Sequence, residues 1–312
     1  MMEGEINLDF DLIILGGGPA GLSAGLYGSR ARLNSLVIER LKYGGQTATT
    51  GELENYPGSI ENCTGPSLSE RMKEQAKSFN VKFAKDEVLG IDVSGDIKIV
   101  KCKKEEYHTK TVIIATGADP RMAGFKGEAE YRGRGVSYCA TCDADFFTDL
   151  DVALIGGGDS ALTEALYITK FVNKLFIIHR RDKFRGVKSL QEKVFANPKI
   201  EVVWNSVPVE ITGDEIVEGL KVKNKLTNEE RIIDVNGVFV FVGLEPASEI
   251  FRGYIDMDER GYILTDEEMR TNVPGVFAAG DVRKKTLRQV ITAAADGAIA
   301  ATAAGKYITD NF

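Results

Sequence analysis

Short apolar runs, each closed by a glycine cluster, are the leading pattern along this chain. The first, Phe10-Asp11-Leu12-Ile13-Ile14-Leu15, predicts a short buried strand. Gly16-Gly17-Gly18-Pro19-Ala20-Gly21 follows, then a helix expected from about Leu22 to Ala31. A second apolar run, Ser35-Leu36-Val37-Ile38, ends at Glu39. The same succession returns later. Val152-Ala153-Leu154-Ile155 leads into Gly156-Gly157-Gly158-Asp159-Ser160-Ala161, a helix is expected from about Leu162 to Lys170, and Lys174-Leu175-Phe176-Ile177-Ile178 runs into His179-Arg180-Arg181. The clusters lie 140 residues apart, from Gly16 to Gly156, so whole strand–helix–strand units repeat, each heading a domain of its own.

A glycine-rich turn alone is common, but both copies here have a strand before and a helix after, as dinucleotide binding requires. The first glycine makes the tight turn and the second lets the backbone approach a pyrophosphate. The third glycine, or Ala161 in the second copy, lets helix and strand pack closely, while the helix N-terminus offers N–H donors. The end of the second strand then separates two ligands. Glu39 stands 23 residues beyond Gly16 and suits free ribose hydroxyls, as in FAD or NAD. At the same offset from Gly156 stands His179, followed by Arg180, Arg181 and Arg185. A carboxylate there would repel a 2′-phosphate, whereas guanidinium groups bind it through charge-assisted forks, so the second unit suits NADP.

Composition narrows the setting. The 312 residues are enough for about two domains. A hydrophobic fraction of 43% and a charged fraction of 27% exclude wholesale disorder. A net charge of −7 argues against nucleic acid or an anionic membrane as the main partner. The acidic start Met1-Met2-Glu3-Gly4-Glu5 is not expected to form a secretory signal, and no uncharged apolar stretch reaches the length of a membrane span. With only 4 cysteines a disulfide scaffold is excluded, and a cytoplasmic location is expected.

Two of those cysteines are paired by spacing, in Cys139-Ala140-Thr141-Cys142-Asp143. Such a pair can close a small disulfide ring or supply half of a metal site. A structural zinc usually takes four protein ligands. Cys63, Cys102, His108 and His179 show no paired spacing, so no metal is expected and a redox disulfide is the stronger reading. Exchange through such a pair moves protons as well as electrons. Asp143 stands where it could act as general acid or base, or equally as an ordinary turn aspartate. Cys63 and Cys102 read as bystanders.

Taken in order, Gly-Gly-Gly-Pro-Ala-Gly, Cys-Ala-Thr-Cys-Asp, Gly-Gly-Gly-Asp-Ser-Ala, His-Arg-Arg-x-x-x-Arg and Gly-Val-Phe-Ala-Ala-Gly-Asp resemble the bacterial low-molecular-weight thioredoxin reductases, from Asp9 to about Ile308. The most specific element is the cysteine pair inside the NADPH-side segment. In glutathione reductase and lipoamide dehydrogenase the redox cysteines lie in the FAD domain. The resemblance implies an α/β fold of two Rossmann-like, three-layer (ββα) dinucleotide-binding domains. The FAD domain would be discontinuous, at residues 1–121 and 249–312, with the NADPH domain, residues 122–248, inserted. Turn signals at Pro120 and Gly124, and at Gly243-Leu244-Glu245-Pro246, agree with two crossings.

By the same resemblance FAD is held by Gly16, Gly18, Pro19, Ala20 and Gly21, by Glu39, Arg40 and Gly44-Gly45-Gln46, and by Asn55 near the flavin. Ala115-Thr116-Gly117, Gly280-Asp281 and Arg288-Gln289-Val290, which opens a last helix to about Tyr307, complete that set. NADPH is held by Gly156, Gly158, Asp159, Ser160 and Ala161 together with His179, Arg180, Arg181 and Arg185. The implied activity carries hydride from NADPH to FAD, electrons on to the Cys139–Cys142 disulfide, and then dithiol–disulfide exchange to thioredoxin or a thioredoxin-like protein, with Asp143 shuttling the proton. A homodimer and a rotation of one domain about turns near residues 120 and 245 are also implied. A glutaredoxin-like protein or small disulfide as acceptor, and a flavin oxidase or ferredoxin–NADP reductase, are the alternatives; neither of the last two needs the cysteine pair. Three positions depart from the family pattern: Ala144 followed by Asp145 where glycine is usual, Asp159 for asparagine, and Val290 for alanine.

Overall fold

The strand after which each glycine cluster falls is buried on both faces in the computed structural model, which describes residues 8–49, 53 and 55–312. Successive side chains of a strand point to opposite faces. Leu12 and Ile14 accordingly join a cluster with Ala20, Ala24, Ala300 and Ala304 of two helices, while Ile13 and Leu15 join one with Val100, Phe251 and Ile263. Contacts divide the chain into one unit of Met1–Asp119 with Glu245–Phe312, and another of Pro120–Leu244. These joins fall a few residues before those expected. Beyond the second, Ala247 N–H donates to the Gly117 carbonyl and Ser248 Oγ to the Gly261 carbonyl, both within the first unit. The crossing segments Ala118–Pro120 and Leu244–Pro246 pair as a two-stranded sheet.

In the first unit Phe10–Leu15 lies between Ser35–Glu39 and Glu106–Ile114, parallel to both, with Lys82–Lys85 outside Ser35–Glu39. Glu106–Ile114 serves two neighbours in turn. Its first half pairs antiparallel with Lys98–Cys102, which pairs with Val88–Asp92, and its second half pairs parallel with Val276–Ala278. Helices Pro19–Arg30, Gly65–Ser78 and Val290–Asn311 complete the unit. The first begins three residues before the expected Leu22, because the last three residues of the glycine motif already form its first turn and Pro19 is preset for that place. Val290–Asn311 follows Gln289, whose side chain and that of Thr292 close a capping box.

The second unit has a five-stranded parallel sheet in the order Ile200–Val203, Lys174–Ile178, Asp151–Gly156, Gly237–Phe241, Val136–Ser137. Leu154, Ile177 and Phe239 pack with Leu162, Ala165 and Ile168 of helix Asp159–Ile168. On the other face Ile155, Ile178 and Val240 meet Ile211, Leu220 and Val222, from a three-stranded antiparallel sheet of Ser206–Thr212, Gly219–Asn224 and Glu230–Asp234. Lys188–Ala196 is a further helix.

Val290–Asn311 crosses Pro19–Arg30 with almost no space between the two backbones. A Cβ on Gly297 would stand 2.0 Å from the Ala20 carbonyl oxygen, and Ser23 Oγ donates to the Ala294 carbonyl at 2.7 Å. Glycine within a helix costs about 1 kcal/mol relative to alanine, so Gly297→Ala would gain that much if the helices could part. They meet backbone to backbone, and overpacking of this kind costs typically 1–3 kcal/mol or more. Gly297→Ala is therefore expected to lose about 2 kcal/mol net, measured by urea unfolding; a more stable variant would show that the crossing yields.

Candidate active site

Every expected site residue outside the last helix lies in a turn at the carboxyl end of a strand or in the segment that follows, the end where open α/β sheets bind ligands. In the first unit Gly16 has φ +111°, and a Cβ there would stand 2.3 Å from the Ala115 carbonyl oxygen. A Cβ on Gly21 would stand 1.9 Å from the Gly16 carbonyl oxygen. Nothing stands in front of Gly18, which caps Pro19–Arg30 with no side-chain hydrogen bond. The N-terminal N–H groups of that helix thus open onto free space, the arrangement a pyrophosphate fills. Glu39 accepts N–H bonds from Gly17 and Leu41, both at 2.8 Å, which fixes its carboxylate beside the turn with lone pairs to spare. Gly44 N–H donates to the Gly17 carbonyl at 2.7 Å and brings Gly44-Gly45-Gln46 alongside. Arg40 instead pairs with Asp119 at the surface, 3.3 Å away.

The remaining flavin-side expectations fall on linked segments. Ala115 N–H donates to the Leu15 carbonyl, and Thr116 Oγ1 donates to the Ala247 carbonyl at 2.7 Å, with Gly117 next along the chain. Asn55 donates to Gln289 Oε1 at 2.9 Å, and Val290 packs with Leu53, Cys63 and Leu68. Arg288 lies over the Tyr262 ring at 4.0 Å. Gly280 N–H is held by Asp296 Oδ2 at 3.0 Å. Asp296, which nothing in the sequence motifs pointed to, also takes Arg283 at 3.0 Å and Lys285 at 2.7 Å, all three side chains nearly covered. This network fixes the turn that carries Asp281. Asp281 Oδ1 is buried and takes no hydrogen bond, and burial raises the affinity of that carboxyl for a proton despite Lys285 and Arg288 nearby. A buried acceptor without a donor, together with an open uncapped helix end, fits the hydroxyls and phosphates of FAD.

The second turn repeats the design with another electrostatic ending. Cβ atoms on Gly156 and Gly157 would stand 2.6 Å from the Phe241 carbonyl oxygen and 2.3 Å from His179 Nδ1. Gly158, like Gly18, faces open space and gives helix Asp159–Ile168 no side-chain cap. Arg180, Arg181 and Arg185 are exposed, and their guanidinium groups make no hydrogen bond or ion pair among the described residues. Three free cations beside an open helix N-terminus fit a phosphorylated ribose. His179 differs from expectation. It is 5% exposed, with Nδ1 at 2.6 Å from the Gly156 carbonyl and Nε2 at 3.0 Å from that of Lys183. Its ring therefore joins the glycine turn to the arginine loop from beneath. Burial, with Arg185 and Arg181, lowers its proton affinity against the pull of the two carbonyls. Asp159 also acquires a local job, since its carboxylate accepts the Val187 N–H at 2.7 Å just ahead of helix Lys188–Ala196. Ser160 is exposed and Ala161 buried against the core.

Cys139 and Cys142 are bonded to each other, with Cα atoms 5.4 Å apart, directly after edge strand Val136–Ser137. Cys142 N–H points to Cys139 Sγ at 3.2 Å, a donor in place for a thiolate there. Ser137 Oγ donates to Asp143 Oδ2 at 2.6 Å and accepts the Cys139 N–H at 3.0 Å. Tyr138, beside the pair, donates its hydroxyl to Glu128 at 2.7 Å, and burial followed by Glu128 holds that phenol protonated. Glu128 is 1% exposed and also accepts N–H bonds from Ala123 and Gly124, so one buried carboxylate ties the residue next to Cys139 to the start of this unit. The other cysteines are set apart chemically. Burial, then Asp86 and Glu105, pushes the Cys102 thiol up to about 12, which leaves it protonated and unreactive. Cys63 is buried with Arg71 Nη2 at 3.3 Å.

Two dinucleotide turns and a two-residue-spaced disulfide define a disulfide oxidoreductase driven by a pyridine nucleotide. The chain belongs to the pyridine nucleotide-disulphide oxidoreductase family, whose model matches residues 10–297. It is 54% identical to the thioredoxin reductase of Peptoclostridium acidaminophilum over 309 residues, which cover 97% of this chain and 98% of that one. Its structure is similar to thioredoxin reductase of Lactococcus lactis, with a TM-score of 0.94 at 45% identity over 97% of this chain and 100% of that one. The T. acidophilum thioredoxin reductase follows at 0.91 and 35% identity, over 97% and 99%. Within the family the chain falls among the low-molecular-weight thioredoxin reductases.

One further group lies near the second turn. Glu164, on helix Asp159–Ile168, has its carboxyl pushed by burial from 4.5 up to about 7. The folded protein then holds a proton that the unfolded chain releases, so this group's contribution to stability falls as pH rises from about 4.5 to 7. Glu164→Gln is expected to melt with the parent protein near pH 4–5 and above it near pH 8, by a margin worth about 1–3 kcal/mol. Thermal melts across that range test it, and a margin independent of pH would remove burial as the cause.

Proposed function

We propose that this chain reduces the disulfide of thioredoxin or a thioredoxin-like protein with electrons from NADPH, by way of FAD and the Cys139–Cys142 pair. The observation that carries the reading is the disulfide itself, in the unit whose strand Lys174–Ile178 leads into three arginines without a partner among the described residues. FAD, when bound, supplies the two-electron relay between a nicotinamide and a disulfide. Gly16, Gly18, Pro19, Ala20 and Gly21 cradle its pyrophosphate, Glu39 takes ribose hydroxyls, and Asp281 accepts from the chain of hydroxyls beyond. Gly44-Gly45-Gln46, Asn55, Ala115-Thr116-Gly117, Gly280 and Arg288-Gln289-Val290 wall the same site. Gly156, Gly158, Asp159, Ser160 and Ala161 form the corresponding turn for NADPH. Arg180, Arg181 and Arg185 hold its 2′-phosphate, and His179 supports them.

Two electrons and two protons open the Cys139–Cys142 bond to a dithiol, one thiol of which then gives up its proton. One thiolate attacks the substrate disulfide, the displaced sulfur departs and is protonated, and the second cysteine re-forms the ring as it resolves the mixed disulfide. Asp143 carries the proton. A protein acceptor is favoured over a small disulfide by Phe146, a residue 76% exposed just past the pair that offers apolar surface for a protein partner to bury. The paired crossings Ala118–Pro120 and Leu244–Pro246 serve as the hinge of a domain rotation. Cytoplasmic location and a homodimer rest on the family resemblance; for the location, no helix among the described residues is long and apolar enough to cross a membrane.

Cys142→Ser is expected to abolish NADPH-dependent reduction of thioredoxin while NADPH still bleaches the flavin; turnover that survived it would favour an oxidase. Arg180→Ala with Arg181→Ala is expected to raise the KM for NADPH roughly 100-fold and that for NADH less than about threefold. Steady-state kinetics with the two cofactors decide it, and equal losses would sink the phosphate assignment.

A further inference from the structure

Ser137 belongs to no motif read from the sequence, yet it is the residue most closely engaged with the redox pair. Its backbone pairs with Phe239 in the buried sheet, and its side chain is 5% exposed, so its hydroxyl has a fixed place. That hydroxyl accepts the Cys139 N–H at 3.0 Å and has one proton for two acceptors, Asp143 Oδ2 at 2.6 Å and the Cys139 carbonyl at 3.2 Å. Asp143 Oδ1 takes no hydrogen bond among the described residues.

We infer that Ser137 is the positioning residue for the proton carrier Asp143: its hydroxyl pairs with both protonation states of that carboxyl and leaves Oδ1 free for exchange. With Asp143 ionised, Ser137 donates to Oδ2. With a proton taken up at the free Oδ1, Oδ2 becomes the carbonyl oxygen of the acid and still accepts that hydroxyl. Neither state strands a buried polar group, so the proton can come and go without the carboxyl moving. In the exchange a cysteine thiol gives its proton to Asp143 and the thiolate attacks one sulfur of the substrate disulfide. That S–S bond breaks, and the displaced sulfur leaves with the electron pair and takes the proton back. The inference rests on Asp143 carrying that proton, as proposed above.

The test uses the full-length holoprotein, reduced beforehand and mixed with oxidised thioredoxin in a single turnover from about pH 5 to pH 9, with the rate followed by thioredoxin fluorescence. Ser137→Ala should slow exchange roughly tenfold. Asp143→Asn should slow it further, and adding Ser137→Ala to Asp143→Asn should change nothing more. Ser137→Ala losses that persist undiminished in the Asp143→Asn background would overturn the inference, because Ser137 would then act only through the Cys139 backbone. A Ser137→Ala protein matching the parent, while Asp143→Asn is slow, would overturn it alone. An Asp143→Asn protein as fast as the parent would overturn the proton-carrier reading and this inference with it.

Discussion

At Gly16, and again at Gly156, a strand ends so close to a neighbouring backbone carbonyl that no side chain fits between them. That contact constrains everything around it. It lets the chain turn directly from strand into helix, aims the helix N-terminus along the end of the sheet, and keeps Gly18 and Gly158 clear in front of it. The uncapped N–H groups that result would be a defect in a closed core. Here they face open space, where an anion completes them. The close crossing of Ala20 with Gly297 extends the same demand to the last helix, whose inner face is nearly all alanine and glycine.

Upon this shared frame the two units differ in charge they leave unspent. The first ends in Glu39, fixed by two backbone N–H groups, and in Asp281, an acceptor with no donor. The second ends in three guanidinium groups with no protein partner. By contrast, Asp296 is satisfied between Arg283 and Lys285, and Glu128 between two backbone N–H groups and a phenol. Asp281 and the three arginines thus keep polar capacity that a dinucleotide would take up.

Local chemistry was legible in the sequence and long-range chemistry was not. The glycine turns, Glu39 at the end of its strand and the cysteine pair were legible because each is carried by consecutive residues or by a fixed offset within one strand–helix–strand unit. The placing of the joins and the extra first turn of each glycine-motif helix were missed by a few residues, since the motif itself is already helical from Pro19 and Asp159. Asp159 could be read only as a departure from the family's asparagine, because its bond to the Val187 N–H joins it to a residue far along the chain. His179 looked like a ligand because its type and offset are visible, whereas the two carbonyls that engage its ring are not. Ser137, Glu128 and Asp296 left no signal at all. A serine, a glutamate and an aspartate acquire meaning there only when folding sets them beside Asp143, Tyr138 and Gly280.

The interrupted first unit imposes an order on assembly. Its sheet is completed by Val276–Ala278 laid beside Glu106–Ile114, and one close helix crossing by Val290–Asn311 against Pro19–Arg30. All strands of the second unit lie between those pieces in the chain. During synthesis from the N-terminus, the inserted unit can close its core and set its cysteines while the first still lacks a strand and its final helix. The turn that carries Gly280 and Asp281 gains its hold on Asp296 only when the last helix has emerged, so the network around that turn is the last part of the first unit to close.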